Sequence, residues 1–378
     1  MVFFMITIIM SFLFNMINNY KIKSRIIKNV NGLDVNILEN NTKNKRNNVI
    51  LLLHGFPEIS YSYRYLMLLF EKSNYYCIAP DQRGYGKTLS KTKETLNSFS
   101  VLNLAKDIHF LLEKLNIDKY HIIGHDFGAY ISSYLCLLYP KKILSLTLMS
   151  MPFAGLPSIR NISNMFKINQ KLALLKPKRK HYQYYFSSYG ADNNIMKCKQ
   201  GLSDFLRSYF FFKSYDYKEN KPHKLKSFTA KELAKMPEYY IMKFNLGMAQ
   251  TVKKYSPTQI ETLRCEWLDN SDLQYYVKNF LHSGIKKPLY WYRVMLSKKE
   301  KLKIINLNLP KSTYIPSIFI SGSADWGIHQ KPGDLEKMEN IFLKNYFGRF
   351  IIKKAGHWVQ QEQPNKTYDL IINFLKKL

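Results

Sequence analysis

The stretch His121–Tyr130 has the sequence HIIGHDFGAY, and it predicts how the whole chain is organised. Its apolar start indicates the end of a buried strand, and residues 129–138 continue with the character of a helix. Gly124 and Gly128 flank the junction, where a side chain on so sharp a turn would collide with its neighbours. Such a turn holds its central residue, Asp126, strained and exposed in front of a helix N-terminus. Because that terminus favours an ionised carboxylate, Asp126 is the candidate nucleophile.

The composition sets limits on the class of protein. The chain has 378 residues, 46% of them hydrophobic, which allows one α/β domain with an insertion and argues against global disorder. The formal net charge is +30, but the basic residues are mostly lysines scattered along the chain without a recognisable nucleic-acid-binding motif. A general lysine bias is therefore favoured over nucleic-acid binding. The four cysteines lack C-x-x-C spacing, so neither a metal site nor a dithiol site is predicted.

The N-terminus is almost wholly apolar from Met1 to Ile17. No basic residue precedes this run and no A-x-A-like site follows it, so it fits a cleavable signal peptide poorly. Basic residues from Lys21 to Lys28 come next, which predicts that the rest of the chain stays on the cytoplasmic side. We therefore predict that residues 1–19 are a membrane anchor, or signal-anchor, in an endomembrane. The competing interpretation is a signal peptide and a secreted protein.

Strands and helices alternate on either side of a region of different character. Asn31-Gly32 predicts a hairpin, and short apolar runs alternate with helical patterns as far as residue 150. Residues 151–309 are rich in Tyr, Phe and Lys and contain helical patches without a convincing buried strand. The alternation then resumes over residues 310–378. This order predicts a mostly parallel central sheet flanked by helices, built from residues 20–150 and 310–378, with a helical lid inserted between them.

Further motifs accompany the turn at Asp126 and strengthen this interpretation. They are HGFPE at His54–Glu58, DQRGYG at Asp81–Gly86, GSADW at Gly322–Trp326 and AGHW at Ala355–Trp358. Together they resemble the α/β-hydrolase fold, specifically its epoxide hydrolase branch, over everything after about residue 20. Nucleophile, acid and histidine also follow one another in the order of that fold.

The resemblance implies a two-step reaction that converts an epoxide and water to a vicinal diol without a cofactor or metal. Asp126 would attack an epoxide carbon and form a covalent alkyl ester, while phenolic O–H groups of Tyr182 and Tyr292 stabilise the departing alkoxide. His357 would then activate water, with Asp325 orienting its imidazole as in a catalytic triad. The neighbours Tyr184 and Tyr185 leave the register of the first lid tyrosine open.

Two further groups of residues complete the expected site. The backbone N–H groups of Phe56 and Phe127 would form the oxyanion hole. Pro57, Trp326 and Trp358 are expected to contact the substrate.

Basic residues 176–180 (KPKRK) lie just before the first lid tyrosine segment. They form either a solvated face or a feature that attracts an anionic bilayer or the carboxylate of a fatty-acid epoxide. Lipid and fatty-acid epoxides are therefore among the candidate substrates.

Two other functions compete with epoxide hydrolysis. A haloalkane or haloacid dehalogenase of this fold also uses an Asp nucleophile, but it must solvate halide, often with ring N–H donors beside the nucleophile. Phe127 cannot supply such a donor. A catalytically silent binding protein of the same fold would have no reason to retain Asp126, Asp325, His357 and the lid tyrosines together.

Overall fold

The structure is a computed structural model that describes residues 22–41 and 48–378. The apolar segment predicted to be an anchor, residues 1–19, lies outside these ranges. Within them, no helix combines the length and apolar character needed to cross a bilayer.

One large sheet positions the site. The strands of the described residues are β1 (Lys23–Val30), β2 (Leu33–Glu39), β3 (Val49–Leu53), β4 (Tyr76–Pro80), β5 (Leu89–Ser90), β6 (Tyr120–His125), β7 (Ile143–Met149), β8 (Arg179–His181), β9 (Ile241–Lys243), β10 (Ser317–Gly322) and β11 (Tyr346–Ile352). The order across the main sheet is β1-β2-β4-β3-β6-β7-β10-β11, with β5 beside β2. The pairs involving β2 are antiparallel, and all the other pairs of this sheet are parallel.

Helices cover the sheet and build the lid. Their bounds in the described residues are α1 (Arg64–Lys72), α2 (Val101–Lys114), α3 (Phe127–Leu138), α4 (Asn164–Ala173), α5 (Tyr182–Ser187), α6 (Ala191–Met196), α7 (Gly201–Lys213), α8 (Ala230–Leu233), α9 (Met248–Lys253), α10 (Gln259–Arg264), α11 (Asn270–Ser283), α12 (Lys286–Leu296), α13 (Lys298–Asn306), α14 (Asp334–Lys337), α15 (Val359–Glu362) and α16 (Pro364–Leu375). Short 3-10 helices lie at Ser60–Tyr63, Leu96–Phe99, Pro140–Lys142, Ile159–Asn161 and Trp326–His329, and a π-helical turn lies at Met338–Phe342.

The continuous apolar sequence of β3, VILLL, follows from its position between parallel neighbours with both faces covered. Ile50 and Leu52 point into the core beneath α1 and α16, whereas Leu51 and Leu53 point into the core beneath α2, α3 and the lid. All four side chains are fully buried, and burial of each stabilises the fold by about 1.5–3 kcal/mol. The predicted fold class is confirmed: a mostly parallel sheet flanked by helices, with a lid inserted after β7.

The lid contains one feature that the sequence pattern did not indicate. Strands β8 and β9 pair antiparallel as a separate two-stranded sheet between β7 and β10. Each strand has only three residues, which is too short for apolar and polar residues to alternate recognisably. The remaining regular structure of residues 151–309 is helical and runs from α4 to α13, apart from the short turn at Ile159–Asn161.

Candidate active site

The turn between β6 and α3 holds Asp126 in a conformation that few side chains adopt. Its φ is +52°, in the left-handed region. A Cβ at Gly124 would lie 2.4 Å from the carbonyl oxygen of Gly128, and a Cβ at Gly128 would lie 1.8 Å from the carbonyl oxygen of Leu53. Both positions therefore require glycine, as the sequence predicts. The carboxylate of Asp126 projects from the carboxyl end of the central strand.

His357 and Asp325 meet Asp126 at this edge of the sheet. The loop after β11 carries His357 and the loop after β10 carries Asp325. The Nε2 atom of His357 lies 3.6 Å from Oδ2 of Asp126, and its Nδ1 atom lies 3.1 Å from Oδ1 of Asp325. The His357 and Asp325 side chains are each 1% exposed and that of Asp126 is 14% exposed, so only the nucleophile retains access. The three residues have the geometry of a catalytic triad.

Asp325 is fixed from two further directions. The N–H of Gly327 donates to its Oδ1 atom at 2.7 Å, and the hydroxyl of Ser321 donates to its Oδ2 atom at 3.2 Å. Burial acts to raise the pKa of Asp325, but His357 and the hydrogen bond from Gly327 outweigh it and lower that pKa. An ionised, fully bonded Asp325 orients the imidazole with Nε2 towards the nucleophile.

Asp126, the candidate nucleophile, is also held ionised. Burial acts to raise the pKa of Asp126, and the hydrogen bond and charge of His357, with smaller contributions from Lys213 and His125, lower it below its ordinary value. Asp126 is consequently a carboxylate throughout the neutral range.

A buried ion pair supports the backbone of His357. The Nε2 atom of His125 donates to the carbonyl oxygen of His357 at 2.7 Å, and the Ser150 hydroxyl donates to the same oxygen at 2.9 Å. The Nδ1 atom of His125 lies 2.6 Å from Oε2 of Glu58. Since both ring nitrogens face acceptors, His125 is protonated. Burial acts to lower the pKa of His125, but the adjacent Glu58 carboxylate raises it by more, so the pKa lies above its ordinary value.

Sequence reasoning assigned no role to Glu58 or His125, although both lie within the motifs HGFPE and GHDFG. An isolated histidine is more often structural than functional, so the sequence alone does not indicate that His125 pairs with Glu58. The two residues are also far apart in the chain. Their motif positions were the available indication.

The expected oxyanion hole is partly visible in the geometry. The N–H of Phe56 donates to Oδ1 of Asp126 at 3.1 Å. Phe127 is the first residue of α3, so its N–H has no acceptor within the helix. Pro57 is buried and follows a cis peptide bond from Phe56.

The lid places Tyr182 and Tyr292 beside each other. Their ring centroids are 6.0 Å apart, and the ring of Tyr292 contacts those of Phe56 and Phe127 at 5.5 and 4.8 Å. The hydroxyl of Tyr182 donates to Oε1 of Gln330 at 2.9 Å. Burial raises the pKa of both phenols far above the usual value, so both keep their protons at neutral pH.

The neighbouring tyrosines of α5 have different surroundings. The hydroxyl of Tyr185 donates to Oδ1 of Asn194 at 2.5 Å, and the half-buried Tyr184 lies against Phe166. Of the three candidates for the first lid tyrosine, Tyr182 is the one whose ring contacts Tyr292.

The two tryptophans expected to contact substrate are both buried. Trp358 is fully buried, its indole N–H donates to the carbonyl oxygen of Phe210 at 2.9 Å, and its ring lies 4.6 Å from that of His357. Its ring thus packs against the imidazole from within the core. Trp326 is 4% exposed and its ring contacts His223.

A cavity of about 330 Å³ lies next to this site. Phe127, Gln183 and Trp291 form part of its wall, and it reaches the surface at the exposed residues Asn161 and Asn164. Asp126 and His357 do not line it. Phe127 and its neighbours therefore separate the cavity from the triad.

The sequence matches the α/β hydrolase fold family over residues 48–364. The chain belongs to this family. It is 26% identical over 354 residues to epoxide hydrolase B of Mycobacterium tuberculosis, covering 92% of this chain and 97% of that protein. It is 27% identical over 360 residues to epoxide hydrolase 3 of Siraitia grosvenorii, again covering 92% and 97%.

Solved structures agree with these relatives. A laboratory-evolved variant of potato epoxide hydrolase superposes with a TM-score of 0.72 at 25% identity, covering 95% of this chain and 100% of the other. An epoxide hydrolase from an endophytic Streptomyces superposes with a TM-score of 0.75 at 22% identity, covering 94% and 95%. The predicted membership of the α/β-hydrolase fold is thus confirmed.

Proposed function

We propose that the protein is an epoxide hydrolase that adds water to an epoxide and releases a vicinal diol. The observation that carries this proposal is the pair of protonated tyrosines, Tyr182 and Tyr292, of which Tyr292 contacts Phe127, the residue next to an ionised Asp126 that lies 3.6 Å from His357. The relatives named epoxide hydrolases, which match the chain over nearly their whole length, support the same reaction.

Ring opening uses the carboxylate and the phenols. An oxygen of Asp126 attacks one ring carbon, the bond between that carbon and the epoxide oxygen breaks, and a covalent alkyl ester forms. The departing oxygen receives a hydrogen bond and then a proton from the lid tyrosines. Tyr292 contacts the rings of Phe56, whose N–H donates to Asp126, and of Phe127, the residue after Asp126, which supports its role in this step.

Hydrolysis of the ester uses the triad. Nε2 of His357 removes a proton from water, and the resulting hydroxide attacks the carbonyl carbon of Asp126. Negative charge develops on the ester carbonyl oxygen, where the N–H groups of Phe56 and Phe127 stabilise it. The carbonyl–oxygen bond of the ester breaks, so the diol leaves with one original oxygen of Asp126 and water replaces it.

Halide release is the less favourable alternative. A dehalogenase needs donors for a halide near the nucleophile, and Phe127 offers no ring N–H. The indole N–H of the nearby Trp291 already donates to the carbonyl oxygen of Arg83 at 3.2 Å. Paired phenols suit an alkoxide, which can take a proton from them.

The decisive experiment is a single turnover with excess enzyme in heavy-oxygen water. We expect label on Asp126 before it appears in the diol. The His357→Gln variant should still open the epoxide but accumulate a mass increase equal to the substrate on the peptide that contains Asp126, and Asp126→Ala should abolish this adduct. Direct appearance of label in the first-turnover diol, with Asp126 unlabelled, would show that water attacks the epoxide itself. A panel from styrene oxide to epoxy fatty acids would then show whether lipid epoxides are among the substrates.

We also propose membrane association through residues 1–19, in an endomembrane with the catalytic part facing the cytoplasm. The apolar run Met1–Ile17 and the basic residues after it support this proposal. The full-length protein should sediment with membranes and resist extraction by high salt, and deletion of residues 1–19 should release an active enzyme. Recovery of the full-length chain in the soluble fraction would count against the anchor, and a mature chain without these residues would favour secretion.

A further inference from the structure

A buried lysine lies directly behind the catalytic histidine. Lys213 is the last residue of α7 and is 3% exposed. Its Nζ atom lies over four aromatic rings, at 5.0 Å from the centroid of Trp358, 5.3 Å from Tyr240, 5.5 Å from Tyr209 and 5.9 Å from Tyr239. Burial of a cation is costly unless something compensates for the lost water. Ring faces within about 6 Å supply such compensation and favour the ammonium form.

Lys213 is tied to the histidine through the backbone. Its carbonyl oxygen accepts a hydrogen bond from the N–H of His357 at 2.9 Å. A Cβ at Gly356 would lie 2.6 Å from the same oxygen. The end of α7 therefore packs so closely against the loop that carries His357 that only glycine fits at position 356. The side chains are linked through Trp358, whose ring centroid lies 5.0 Å from Nζ of Lys213 and 4.6 Å from the centroid of the His357 ring.

The charges of three carboxylates also act on the ammonium group. Burial lowers the pKa of Lys213, and the charges of Asp126, Asp325 and Glu58 oppose this effect. Lys213 in turn lowers the pKa of Asp126 and of Asp325. The lysine thus belongs electrostatically to the active site, although no step of the mechanism above uses it.

The balance of charge around His357 changes during the reaction. In the free enzyme, Asp126 and Asp325 are both negative. Once the alkyl ester forms, Asp126 carries no charge and Asp325 alone stabilises an imidazolium. At that stage His357 must be neutral, because only the neutral ring can accept a proton from water. A nearby positive charge opposes protonation of the ring and so preserves the base.

We propose that Lys213 is a positioning residue whose buried positive charge keeps His357 neutral, and therefore able to act as a base, during hydrolysis of the alkyl ester. This inference rests on the proposed function. The lysine is not one of the groups that contact the reacting atoms, and its effect on ester hydrolysis is exerted through the imidazole.

The other titratable groups facing His357 and Lys213 do not replace this charge. Glu58 and His125 form a pair whose charges offset each other. Burial raises the pKa of Glu362 to about 8, and its oxygens accept from the N–H groups of Gly356, Trp358 and Tyr215. The remaining groups on the surrounding elements are the buried, protonated phenols Tyr182, Tyr209, Tyr239, Tyr240 and Tyr292, with His329 facing Asp325 and Asp216 facing Glu362.

The test is the pH profile of the Lys213→Met variant. Methionine has a similar length and packs well against aromatic rings. The space between the four rings therefore stays filled while the charge is removed. We expect the acidic limb of the kcat profile to move to higher pH by about one unit. At pH 6, ring opening in a single turnover should stay within about threefold of the wild type, while the alkyl-enzyme accumulates and kcat and KM fall together. Lys213→Arg should restore the wild-type limb. The matched control is Lys218→Met, which removes an exposed lysine lying over the ring of Tyr215 in the same turn.

The outcomes separate this inference from the proposed function. An unchanged acidic limb in a folded Lys213→Met variant, or an equal shift in Lys213→Arg, would overturn the role of the charge. If the methionine variant does not fold, Lys213→Gln takes its place. The acidic limb of its kcat profile should also move to higher pH, and an unchanged limb would overturn the inference. Failure of the wild type itself to form an adduct or a diol would refute the proposed function before Lys213 is considered.

Discussion

Arg64 joins the sheet domain to the lid, and its removal gives a sharp test of how the two parts are held together. The side chain is 5% exposed at the start of α1. Its Nη2 atom donates to Oδ2 of Asp272 at 2.6 Å and to the carbonyl oxygen of Trp267 at 2.7 Å, and its Nη1 atom donates to Oε1 of Gln361 at 2.8 Å. Asp272 and Trp267 belong to the lid, whereas Gln361 lies in α15. One guanidinium therefore bridges both parts.

The Arg64→Met substitution should lower the free energy of unfolding by about 3 kcal/mol. Breaking a buried ion pair by removing one partner typically costs about 3–5 kcal/mol, because the other charge stays buried. We expect the lower end of this range, since Asp272 keeps hydrogen bonds from the hydroxyls of Tyr61 at 2.7 Å and Tyr65 at 3.3 Å. Replacing both charges, as in Arg64→Met with Asp272→Leu, should recover most of the loss, because an apolar pair needs no compensation.

Urea unfolding at neutral pH measures both variants. With a slope of about 3 kcal/mol per molar urea, the single variant should unfold at about 1 M less urea than the wild type. Lys142→Met, which breaks an exposed pair with Asp118, is the control and should change the midpoint little. A loss below about 1 kcal/mol in the single variant, or a double variant no more stable than the single one, would refute the reasoning.

Three single residues, in the tight turn, the lid and the central sheet, give further testable expectations. Gly128→Ala should destabilise the fold by about 3 kcal/mol in urea unfolding, because its Cβ would overlap the carbonyl oxygen of Leu53, and a loss under about 1 kcal/mol would contradict the tight turn. Tyr292→Phe should slow ring opening by about 100-fold or more while the preformed ester hydrolyses at the wild-type rate, which rapid-quench kinetics can separate. Burial lowers the pKa of His121 to about 4 from 6.5, so its contribution to stability is complete above pH 6.5 and is lost as pH falls towards 4. Unfolding at pH 7 and pH 5 should therefore differ by about 2 kcal/mol more in the wild type than in His121→Gln, and equal differences would contradict this.

Much of the architecture follows from short-range rules that a sequence displays directly. Gly124 and Gly128 mark a turn because no other residue fits there, and continuous apolar runs such as β3 indicate strands covered on both faces. The carboxyl ends of parallel strands meet at one edge of a sheet. Residues that follow those strands, such as Asp126, Asp325 and His357, are therefore brought together whatever the lid does.

The lid is less predictable because its contacts are decided by packing between distant segments. The chain has 28 tyrosines, and periodicity does not say which of those in α5 turns towards Tyr292. The answer depends on Asn194, which binds the hydroxyl of Tyr185, and on Gln330, which binds that of Tyr182. The position of Trp358 depends on the lid in the same way, because its indole N–H donates to a carbonyl oxygen of the lid helix α7.

The pairing of β7 with β10 has a consequence for how such proteins diversify. The chain leaves the sheet at Met149 and returns at Ser317, yet the two strands are immediate neighbours, with Leu146 opposite Ser317. Because the strands are parallel and Met149 lies opposite Ile320, the ends of the insertion are three residues apart along neighbouring strands, and the sheet alone holds them about 11 Å apart. Because closing a flexible loop costs only about 0.6 kcal/mol more for each doubling of its length, a longer or shorter insertion adds little entropic penalty at this junction. Recombination at these two points could exchange one substrate-facing half for another and leave the hydrolytic half intact.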